Sequence, residues 1–156
     1  MQSESYRQAY IHFYMLLEFC FSKGATDKNK QVADFTSNSD FVLALLQTVR
    51  LFKDQNSTHY EHVYSKVIEN DKNRVFNVKS ITRLLFDYRG KLAHGIKRSM
   101  PYVFNEALLK PITLFISSIC FFVCGNMQVY CMSSKQFREE RILQLISELK
   151  ASLKID

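Results

Sequence analysis

The sequence predicts an all-α fold: one domain spanning residues 1–156, built as a bundle of five or six helices. Three observations predict it. Only four Gly and two Pro occur in 156 residues, too few punctuators for a turn-rich β fold. Apolar residues recur at helical spacing over long stretches. No stretch of useful length shows the alternation of a half-buried strand. At 47% hydrophobic and 23% charged, the chain can bury a single core without staples. That core is phenylalanine-heavy, with 13 Phe, eight Tyr and no Trp.

The first helix is expected over residues 3–22, with Ser3 as N-cap and Gly24 as its stop. Tyr6, Ala9, Tyr10, Phe13, Leu16, Leu17 and Cys20 make its apolar stripe. Residues 25–37 are polar and read as loop or one short turn. "DFVLALLQTVRLFKD", entered at Asn38 or Ser39, reads as a mostly buried helix. Ser57 or Thr58 would cap another, with Tyr60, Val63, Tyr64 and Val67 on one side. A further helix starts near Asn77 and runs to His94, where Gly95 and Pro101 end it. A long helix follows from about Tyr102 to Met132, and Pro111 should bend or divide it. The last is amphipathic, with Phe137, Ile142, Leu145, Ile146 and Leu149 turned inward. No internal repeat or low-complexity tract interrupts this order.

Charge and cysteine content bound the function. The formal charge of +6 permits an anionic partner without requiring one. Cys20, Cys120, Cys124 and Cys131 lack C-x-x-C spacing, and no His lies near the last three, so zinc binding is not expected. Three of them sit among Phe, Ile and Val, as reduced cysteines in a core do. No secretory leader is visible, and a cytoplasmic location is expected. No charge occurs between Lys110 and Lys135, close to membrane-span length. Polar Thr113, Ser117, Ser118, Asn126 and Gln128 within it favour a buried core helix over a span. A small membrane-associated helical protein is the reading these residues would otherwise support.

Two Arg–His pairs stand five positions apart. Arg7 and His12 lie within a regular helix, where five positions separate side chains by about 140° around the axis. They read as a solvated Arg and a stripe-edge His, part of no site. Arg89 and His94 lie at a helix end, with Gly90 between them and Lys91, Lys97 and Arg98 around them. Such an end can host a phosphate-binding surface, although a terminal Arg and His can also simply complement the helix dipole. Glu18, inside "MLLEFCF", reads as a paired buried acid. Asp87 stands close enough in sequence to orient Arg89 or a neighbour. His59 and His62, three apart, read as a solvated face rather than a metal pair.

The segment "YRGKLAHG" resembles the Arg-x4–6-His signature of the HEPN superfamily, and its "HG" ending is most similar to the ApeA-like branch. The motif match covers about eight residues, and the order of helices around it is similar over most of the chain. The resemblance implies a metal-independent endoribonuclease, typical of bacterial toxin–antitoxin or phage-defence systems, needing no cofactor. It implies Arg89 and His94 as catalytic residues, with Lys91, Lys97 and Arg98 as RNA-binding neighbours. It implies a homodimer whose active site lies at the interface, with an antitoxin or defence-system protein as a further partner. The chemistry suits these residue types. His can move protons at neutral pH, and Arg gives a phosphorane a fixed bidentate cation. Many members of the family carry a polar residue after the Arg, where this chain has Gly90. That departure supports the alternative, a non-catalytic HEPN-like module for RNA binding or dimerisation.

Overall fold

A computed structural model describes residues 2–94, 106–130 and 134–156. Seven α-helices form among them and no strand: α1 (Gln2–Phe21), α2 (Lys28–Thr36), α3 (Ser39–Gln55), α4 (Ser57–Asn70), α5 (Val78–His94), α6 (Glu106–Tyr130) and α7 (Lys135–Leu153). The all-α class holds; the expected five or six helices become seven. The addition is α2, in the stretch read as loop. Its sequence shows little periodicity because only Gln31, Val32 and Phe35 are buried. Asp27 caps it, accepting bonds from the backbone N–H groups of Asn29 and Lys30.

The core is built on α3 and α6. Phe41, Leu43, Ala44, Leu45 and Leu46 are fully buried, so α3 is covered over most of its circumference. In α6, Ile112, Phe115, Ile116 and Ile119 are buried. The Phe52 and Phe115 rings meet edge-on at 5.2 Å, and the Asn126 amide donates to Gln47 Oε1 at 2.8 Å. Together these contacts set the α3–α6 register. On the other side of α6, Thr113 Oγ1 donates to the Tyr6 carbonyl and Cys120 Sγ to the Phe13 carbonyl. Donors and acceptors advance by the same seven positions, so α1 and α6 run parallel. Most of α6 is therefore enclosed. Its apolar window Leu109–Gln128 has the length and hydropathy of a membrane span, yet 56% of it is buried within the bundle. The helix continues through Pro111 without division.

Several boundaries and faces differ from expectation. Helix α1 already begins at Gln2, so Ser3 is not its cap. Its buried stripe is Tyr10, Tyr14, Leu17 and Phe21, while Leu16 and Cys20 are exposed. The stripe is rotated because α2 packs over Tyr14 and Phe21 through Phe35. Asn38 caps α3 as expected, but Asn56, not Ser57 or Thr58, caps α4. In α4, Tyr64 is partly exposed, resting on Phe76 at 4.9 Å. Of the residues expected inward in α7, Ile142 is buried and Leu145, Ile146 and Leu149 are partly buried, while Phe137 is 59% exposed in the first turn. Cys120 is buried but Cys20 and Cys124 are exposed, and all three are free thiols. Burial pushes the Cys120 thiol up to about 12, with Cys124 and Cys20 adding to the shift. Cys131, Gly95, Pro101 and the ends of the expected fifth helix at Tyr102 and Met132 lie outside the described residues.

Helix α7 ends in a left-handed residue. Lys154 has φ 56°, and the Ile155 N–H reaches back to the Lys150 carbonyl at 3.1 Å while the Ile155 side chain is buried. A side chain at this backbone conformation is strained, and glycine is not. Lys154→Gly is expected to raise unfolding stability by about 1 kcal/mol, a Tm increase of roughly 2–4 °C. Thermal denaturation measures it, and an unchanged or lower Tm contradicts this cap.

Candidate functional site

The motif helix α5 is placed by its apolar face. Val78, Ile81, Leu84, Leu85, Tyr88 and Leu92 are buried, at the i, i+3, i+4, i+7 spacing of an amphipathic helix. That face packs against α1, α2 and α4. The Tyr10 hydroxyl, on α1, donates to the Leu85 carbonyl at 2.6 Å. Burial holds the Tyr10 hydroxyl well above its ordinary pKa, with smaller contributions from Tyr14, Tyr88 and Asp87. It therefore stays a neutral donor.

Arg89 is half-buried on the side of α5 that meets α1. Its Nη2 lies 3.8 Å from Glu18 Oε1, the two side chains being 35% and 30% exposed. Glu18 is paired, as expected, with Arg89 and Gln31 as its partners, but it is half-buried rather than buried. Gln31 is buried and fully engaged. Its Nε2 donates to Glu18 Oε1 at 2.6 Å and to the Ala25 carbonyl at 3.2 Å, and its Oε1 accepts from the Tyr14 hydroxyl at 2.7 Å. Burial, and then the Glu18 carboxylate, push the Tyr14 hydroxyl far above its ordinary range. Tyr14, Gln31, Glu18 and Arg89 thus form one chain of polar contacts across α1, α2 and α5. A half-buried carboxylate already fixed by an amide presents a definite direction to the guanidinium.

Other placements depart from the sequence reading. Asp87 does not orient Arg89. It accepts from Lys28 Nζ at 2.6 and 2.7 Å and from Asn70 Nδ2 at 2.9 Å, tying α2 and α4 to α5. Lys91 is exposed, its Nζ 5.5 Å from the centre of the Tyr88 ring. His12 is exposed, as expected of a stripe-edge residue. Arg7 is not solvated: it is half-buried, and its Nε and Nη2 donate to the Leu92 carbonyl at 3.0 and 2.7 Å. His59 and His62 are not a solvated face. Both are partly buried, His59 beside Phe52 and bonded to Asn56. No group of three His, Cys, Asp or Glu residues among those described could hold a metal ion.

Helix α5 runs unbroken through Gly90 to its last residue, His94. The two motif positions are thus about 140° apart around the axis and about 7.5 Å apart along it. The helix expected from near Asn77 to His94 is thus found with nearly the same bounds. The His94 side chain, and Lys97 and Arg98 entirely, lie outside the described residues. Of the five expected site residues, the structure shows the side chains of Arg89 and Lys91. It adds Tyr14, Gln31 and Arg7 as neighbours of the motif that the sequence reading left out.

The chain matches no known protein-family model, no characterised protein and no solved structure.

Gly90 is an ordinary helical position. A Cβ built there meets nothing within 4 Å. Gly90→Ala is therefore expected to stabilise the protein by about 0.8–1 kcal/mol, the difference in helix propensity. Urea denaturation tests this; a loss of stability would mean that the helix needs Gly90 for close approach.

Proposed function

We propose that the protein is a metal-independent endoribonuclease of HEPN type, acting as a bacterial toxin or phage-defence effector. The observation that carries this reading is the Arg-x4-His motif on α5, with the motif arginine held half-buried against a fixed carboxylate. A guanidinium positioned in advance can receive charge developing on a phosphorane without reorganising. The exposed Lys91, two residues further along α5, adds positive charge that an anionic strand could meet.

In this reaction the ribose 2′-oxygen attacks the adjacent phosphorus while a base takes its proton. The bond to the 5′-oxygen breaks, and an acid protonates that leaving oxygen. His94 serves one of these proton transfers, and a second imidazole serves the other. The 140° separation of the motif positions on a continuous helix favours a site shared between two copies, with Arg89 and His94 of each near a two-fold axis. Among the described residues, Phe19 is 87% exposed and Phe121 73%, which suits an associating protein. The proposed location is the cytoplasm, and an antitoxin or defence-system protein is the further partner.

Two observations favour the second reading, a non-catalytic HEPN-like module that binds RNA or dimerises. Gly90 supplies no polar group beside Arg89, and the Glu18 carboxylate, 3.8 Å away, already balances part of the arginine's charge.

The experiment is cleavage of labelled single-stranded RNA in EDTA by folded parent and His94→Ala proteins. Loss of the acid–base group should slow cleavage by about 10²–10⁴-fold. Arg89→Lys should be severely impaired too, since a point charge cannot replace a bidentate fork. Equal cleavage by parent and His94→Ala places the activity elsewhere, and no cleavage by either across diverse RNAs favours the non-catalytic module. Neutralising Lys97 or Arg98 should weaken RNA binding in proportion to salt without removing the chemical step. Each lost phosphate contact should lower the slope of log K against log salt by about 0.7 for a single strand. Filter binding over a salt series reads that slope, and an unchanged slope removes both residues from the RNA path.

A further inference from the structure

Arg7 and Leu92 are 85 positions apart in sequence, yet the guanidinium of one grips the carbonyl of the other with two hydrogen bonds, at 3.0 and 2.7 Å. Leu92 lies near the C-terminal bound of α5, and its side chain is fully buried. The planar fork of Arg7 supplies two fixed donors to the Leu92 carbonyl. Tyr10, one turn further along α1, makes a bond of the same kind to the Leu85 carbonyl. Helix α1 therefore holds α5 at two levels two turns apart, and the upper hold lies two residues before His94.

We propose that Arg7 is a positioning residue: from α1 it fixes the final turn of α5, and through that backbone it sets where His94 stands. Its consequence for cleavage rests on the nuclease reading above; the clamp itself does not. The guanidinium is already committed to a carbonyl, so Arg7 touches neither substrate nor reacting atoms. A proton-transfer group displaced by about 1 Å can lose on the order of 10² in rate, so loosening this turn acts on kcat rather than on RNA binding.

The test uses the full chain with Arg7→Gln, which keeps the length but loses the charge and the fork, and Arg7→Lys, which keeps the charge and one donor. Amide hydrogen exchange is followed in peptides covering 86–94, with α3 as internal reference. Arg7→Gln is expected to speed exchange there at least ten-fold while α3 is unchanged, and to lower kcat by about 10–100-fold with KM within two-fold. Arg7→Lys should recover part of both effects. Unchanged exchange in Arg7→Gln overturns the clamp. Faster exchange with unchanged kcat overturns the positioning role. A parent protein that cleaves no RNA overturns the nuclease reading instead, and the exchange measurement still decides whether Arg7 holds the helix.

Discussion

The placement of α5 depends on its contact with α1. Burial of Tyr10 and Tyr14 against Tyr88 and Phe86 drives the two helices together, but apolar contact alone is non-directional and would tolerate sliding. Polar contacts remove that freedom. The Tyr10 hydroxyl takes one carbonyl of α5, Arg7 takes another, and Glu18 faces Arg89. Each buried donor or acceptor would be costly to leave unmatched, so a shifted register loses several contacts together. Whatever α5 does, it does from a position that α1 fixes together with α2 and α4.

The remaining helices support this pair. Helix α6 runs parallel to α1 and fills the space between it and α3. Helix α2 contributes Gln31 to the carboxylate that faces Arg89 and Lys28 to Asp87, so a nine-residue helix reaches the motif helix at two points. Helix α4 adds Asn70 to the same aspartate. Asp87 thus acts as a structural junction of three helices, one residue before Tyr88 and two before the motif arginine.

The parts of this arrangement that were legible in the sequence were those carried by periodic burial. Helix α3, with apolar residues on almost every side, and α5, with its regular stripe, were readable because hydrophobic spacing alone specifies them. Helix α2 was not, because its stability comes from the Asp27 cap, a few apolar contacts and a glutamine buried by tertiary hydrogen bonds. The same limit applied to the site. Glu18 stood out as a charge in an apolar setting, and pairing could be inferred from desolvation cost. Its partners could not, since they come from helices 13 and 71 positions away. Arg7 left no signal at all: an arginine bonded to a distant carbonyl has the same local sequence as one in water. The course of α5 through Gly90 to His94 was legible as well, because the apolar face through Leu92 keeps the helix regular past Gly90.

The proposed chemistry makes a demand that no binding function would meet. An attack by the ribose 2′-oxygen must leave a 2′,3′-cyclic phosphate on one fragment and a free 5′-hydroxyl on the other. The direct measurement is mass-spectrometric identification of the ends left on a defined RNA oligonucleotide by the purified protein in EDTA, beside the same oligonucleotide carrying 2′-deoxyribose. The account predicts cyclic phosphate and 5′-hydroxyl ends on the ribose substrate and an intact deoxyribose substrate. Fragments ending in 3′-hydroxyl and 5′-phosphate, or cleavage of the deoxyribose control, would contradict it.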